Sequence, residues 1–92
     1  MPNFITVFGY HVYIWTNEGQ PLEPVHVHAS KVPSKNATKI WILSDGTCKL
    51  ANNDSEIPTV KLNRLLKTLE SYSDEIVKTW EKVFGEKAIF YK

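Results

Sequence analysis

The chain has 92 residues, of which 42% are apolar, 12% aromatic and 23% charged. That length has room for one core burying roughly 60–65% of the unfolded surface, so a single domain over 1–92 is expected. Ordinary charge and apolar content exclude a disordered tail and a disulfide scaffold. Eleven basic against ten acidic side chains leave +1, which writes no general pull toward nucleic acid or membrane into the totals.

Residues from about 4 to 54 read as sheet. Met1 to Phe8 offers a strand candidate before Gly9. From Tyr10 to Thr16 the pattern has a period of two: Tyr10, Val12 and Ile14 face one way, His11, Tyr13 and Trp15 the other. Asn17-Glu18-Gly19-Gln20-Pro21 breaks the run, and Val25-His26-Val27-His28-Ala29 resumes it. Val32 to Ala37 is a polar loop around Pro33. Thr38 to Leu43 makes another strand, and Ser44-Asp45-Gly46-Thr47 holds the Asp-Gly pair of a tight hairpin into Cys48 to Ala51.

Residues from about 55 to 86 read as helix. Leu62, Leu65, Leu66, Leu69 and Tyr72 form one apolar stripe, and Pro58 suits the first turn. Ser71-Tyr72-Ser73 interrupts it. Ser73 before Asp74 and Glu75 reads as a new N-cap. Ile76, Trp80, Val83 and Phe84 make a second stripe ending at Gly85. The tail, 87–92, carries Ala88-Ile89-Phe90-Tyr91, apolar enough to pack on the body or pair with a strand edge, here or in a partner chain. Strands first and helices last predict an α+β fold: an antiparallel meander of three to four strands, then two C-terminal helices packed on one face. Val12, Ile14, Val25, Val27, Ile40 and Ile42 are the face for the helices to cover.

The opposite face then carries His11, Tyr13, Trp15, His26, His28, Lys39 and Trp41. Imidazole is the side chain that titrates near neutrality, so a group of three can move protons, bind metal or sense pH. Four readings stay open. In the first, the imidazoles hydrogen-bond neighbouring strands or loops and the aromatics are ordinary cross-strand pairs. The exposed aromatics suit a protein interface, including a homodimer. Tyr13, Trp15 and Trp41 suit base stacking, with Lys31, Lys35, Lys39 and Lys49 on phosphates. His26, His28 and His11 suit catalysis, as general base and acid in metal-free RNA cleavage. A metal site is the weaker use of the same histidines, since no Cys or obvious carboxylate completes a ligand set, and neither metal nor cofactor is expected. The lone Cys48 excludes an internal disulfide, has no catalytic motif around it and fits a reducing cytoplasm. No apolar run approaches the roughly 20 residues of a membrane helix, and Met1-Pro2-Asn3-Phe4 does not begin a signal peptide. A cytoplasmic protein without a membrane partner is expected.

Gly9-Tyr10-His11-Val12-Tyr13-Ile14, then Pro24-Val25-His26-Val27-His28, then Trp80 with Val83-Phe84-Gly85, resemble the small bacterial domain-of-unknown-function family numbered 4160. The similarity runs over roughly residues 4 to 86. Glu23 departs from the family's usual proline, the loop from Lys31 to Thr38 is long for it, and Lys87 to Lys92 extends beyond it. The resemblance implies a component of a toxin–antitoxin-like pair that works with a small cognate partner protein. By analogy it also favours action on RNA through the histidine face. It carries His26 and His28 to the site and Tyr10, Val12 and Trp80 to the core. The expected function is therefore a paired-system component, as an enzyme a metal-free ribonuclease, with a non-catalytic protein- or nucleic-acid-binding module as the alternative.

Overall fold

The computed structural model describes residues 3–15, 23–32 and 37–91. Strands β1 (Asn3–Val7), β2 (Tyr10–Tyr13), β3 (His26–Ser30), β4 (Thr38–Ile42) and β5 (Cys48–Asn52) precede helices α1 (Thr59–Ser71) and α2 (Ser73–Phe84). The five strands form one antiparallel sheet in chain order, with register shifts between Asn3 and Ile5 and between Lys39 and Ile40. The breaks at Asn17–Pro21 and around Pro33, together with Lys35 and Lys92, lie outside the described residues.

The α+β order matches the expectation from sequence; the strand count does not. The sheet has five strands, not three to four. The added strand is β1, held to β2 by a two-residue turn in which Phe8 and Gly9 both have positive φ, 53° and 82°. Such a turn matches the twist of the flanking strands, and asparagine is its usual mark ahead of glycine. Phenylalanine in that place hides it. The β4–β5 connection is looser than a two-residue hairpin: Leu43 N–H donates to the Thr47 carbonyl at 2.8 Å around Ser44, Asp45 and Gly46, with Gly46 at φ 88°.

Alternation sends Val12, Ile14, Val25, Val27, Ala29, Ile40 and Ile42 to one side, each fully buried. Leu62, Leu65 and Leu69 of α1 and Ile76 and Trp80 of α2 close over them in one cluster. Leu66 is half-buried and Tyr72 exposed, so the stripe is narrower than its sequence spacing. Ser55 fixes the entry to α1: its hydroxyl donates to the Ala29 carbonyl at 2.7 Å and accepts from Thr38 N–H at 3.0 Å.

Helix boundaries shift by a residue. Pro58 caps α1 from outside rather than sitting in its first turn, and Tyr72, not Ser73, is the N-cap of α2. Asp74 and Glu75 occupy the first turn of α2, where carboxylates oppose the helix dipole favourably. Gly85, at φ 68°, ends α2 by donating its N–H to the Glu81 carbonyl. The tail then returns to the sheet. Ala88 N–H donates to a Glu81 carboxylate oxygen, and Val25 N–H donates to the Ile89 carbonyl, both at 2.8 Å.

Candidate functional site

The same alternation that buries Val25 and Val27 under the helices sends His26, His28 and Ser30 to the outer face. Register does the rest. Tyr13 and Lys39 flank His28 from either side, Trp41 lies opposite His26, and His11 lies opposite Ser30. The His26 and His28 rings meet edge-on with centroids 5.1 Å apart. Tyr13 stacks on His28 at 5.8 Å and meets Trp15 at 6.4 Å, while Trp41 stands 5.5 Å from His26. Six of the expected residues, His26, His28, Tyr13, Trp15, Lys39 and Trp41, thus form one cluster.

The other two stand apart. His11 shares the face but lies a row away, its Nδ1 3.1 Å from the Thr6 hydroxyl. Between it and His28 runs the 3.2 Å hydroxyl contact of Tyr13 with Ser30. Lys31 falls one residue past Ser30, so parity turns it to the helix side, where it lies over the Tyr10 ring at 5.7 Å. It does not join Lys39.

Burial sets the chemistry. His26 and Tyr13 are each 1% exposed and His28 6%. His26 also touches Trp80 of α2, at 5.1 Å. Desolvation pushes both imidazoles below their ordinary pKa, that of His28 to about 4, with the neighbouring His26 a second cause for His28. A bond to the Pro24 carbonyl at 2.9 Å partly offsets this for His26. His28 Nδ1 and Trp80 Nε1 are buried with no hydrogen-bond partner among the described residues. Lys39 is held by Glu23 at 2.5 Å and lies 4.4 Å over the Trp41 ring. Burial thus disfavours the protonated form of both rings, which stand among aromatic side chains. Among the described residues no three His, Cys, Asp or Glu gather to hold a metal. Burial, with Glu70 nearby, pushes the Cys48 thiol up to about 12, which disfavours the reactive thiolate.

Residues 9–81 match the model of a family described as Domain of unknown function (DUF4160). The chain belongs to that family. Neither curated proteins nor solved structures gave a match. The DUF4160 match includes both histidines and Trp80 but stops short of β1 and of the tail. In this DUF4160 chain the tail completes the site: Tyr91 stacks flat on Trp41, centroids 4.8 Å apart and planes 6° apart, and Lys49 reaches over Tyr91 at 5.3 Å. The sequence alone leaves open whether the tail packs on the body, pairs with a strand edge or covers this face. The signal was present in the apolar run after Gly85, but nothing local says which strand it meets.

Proposed function

We propose that this chain is the binding component of a small toxin–antitoxin-like pair, working in the cytoplasm and docking its cognate partner protein through the outer sheet face. The pairing follows from the resemblance noted for the strand and helix motifs. The surface follows from geometry. Trp41 is stacked by Tyr91 and flanked by Lys39 and Lys49, an aromatic centre with a charged rim. Such centres supply most of the energy of protein interfaces. The observation that supports a non-catalytic reading is the burial of His26 and His28: a general acid must hold a proton near neutral pH, and desolvation disfavours the protonated form of both rings.

The test is co-purification with the product of the adjacent reading frame. Trp41→Ala is expected to weaken that complex by at least about 2 kcal/mol, read by titration calorimetry. An unchanged affinity, or a self-associating dimer in place of a hetero-complex, defeats the proposal. The 5.1 Å approach of His26 to His28 favours one second reading, a metal-free ribonuclease. It requires that His26→Ala and His28→Ala each abolish RNA cleavage and growth inhibition while the protein stays folded.

A further inference from the structure

Away from Trp41, the β1–β2 turn carries a side chain that the fold does not explain. Gly9 adopts its positive φ freely, whereas Phe8 at 53° occupies a region where a bulky L-residue is strained and asparagine is at ease. Packing does not offset that strain. Phe8 is 48% exposed and stands outside the core, while Phe4, Ile5 and Val7 of the preceding strand β1 pack against that core. Its ring borders a shallow groove of about 330 Å³ shared with Arg64, Lys67, Thr68 and Ser71 of α1. Strain that survives without a structural return points to use.

The charge of α1 points to the ligand. Lys61, Arg64 and Lys67 recur every third residue, all exposed, against a single acid on that helix, Glu70. That spacing makes a stripe of about 9 Å along the helix, ending beside Phe8. No ion pair ties Arg64 or Lys67 to a described residue. We propose that Phe8, Arg64 and Lys67 form a binding site for single-stranded nucleic acid, with a base stacked on the Phe8 ring and backbone phosphates on the two cations. An acidic protein would satisfy the cations yet leaves the strained, flat ring without purpose. A duplex keeps its bases stacked on each other. An unpaired base offers the π-face that an exposed aromatic beside cations accepts. This site is independent of the partner face at Trp41.

The experiment is fluorescence anisotropy of labelled oligouridine and oligothymidine with the whole chain. Saturable binding that weakens with salt is expected. Phe8→Asn separates structure from function. It relaxes the turn and should raise the melting temperature, yet weaken binding roughly 5- to 100-fold. The double variant Arg64→Gln, Lys67→Gln should flatten the slope of log affinity against log salt by about 1.4. Absence of saturable binding overturns the proposal, as does full binding by Phe8→Asn. Equal displacement by polyglutamate also overturns it and marks a site for an acidic protein.

Discussion

His28 shows at the scale of one residue how a surface-looking group becomes a structural one. Its ring is free to protonate in the unfolded chain near pH 6.5, but in the fold only at about 4. As pH falls below 6.5 the unfolded state takes up the proton first, so stability is full above that pH and declines toward 4, where it levels off. The depression corresponds to about 3 kcal/mol, with His26 adding in the same direction. Urea unfolding between pH 7.5 and 4 should show this decline, and His28→Gln should flatten it. An unchanged slope would mean that the ring is solvated. Trp80 is the complementary case. It is fully buried, meets Phe84 at 4.4 Å and His26 at 5.1 Å, and Trp80→Ala should cost about 3–5 kcal/mol by equilibrium denaturation. Sequence spacing placed both residues correctly by face. It could not show that His28 is sealed from water, because alternation assigns sides and is silent about what roofs them. Lys31 fails for a simpler reason: it was grouped with Lys39 by charge, and parity in β3 sends it to the other side.

The element that most alters the site is the tail. It is fastened by the Glu81 carboxylate, by Val25 N–H and by the Trp41–Tyr91 stack. Truncation after Lys87 removes all three fastenings and leaves nearly the whole core cluster in place. The shortened chain should still unfold cooperatively, with stability lower by about 2 kcal/mol, and Trp41 should become open to iodide quenching. Unchanged quenching would mean that Tyr91 does not cover Trp41 in solution. The helices and β2 to β5 were legible because apolar period and breakers agree over each of them. β1 was only half legible, since its turn lacks the usual residues, and the docking of the tail depends on a contact far away in sequence.

At the scale of the molecule, the net charge of +1 conceals local asymmetry. One basic stripe lies on α1, and two lysines frame the Trp41–Tyr91 stack. The sheet adds a constraint of its own. Its strand order leaves β1 and β5 at the margins, and both of the outermost pairings contain a register shift. An irregular margin offers a poor template for a further strand, and Lys49 on β5 would set charge against a like copy. Growth of the sheet from chain to chain, the usual route from a small open meander to fibrils, is thereby disfavoured. Association is left to side chains on the faces, where it can be selective.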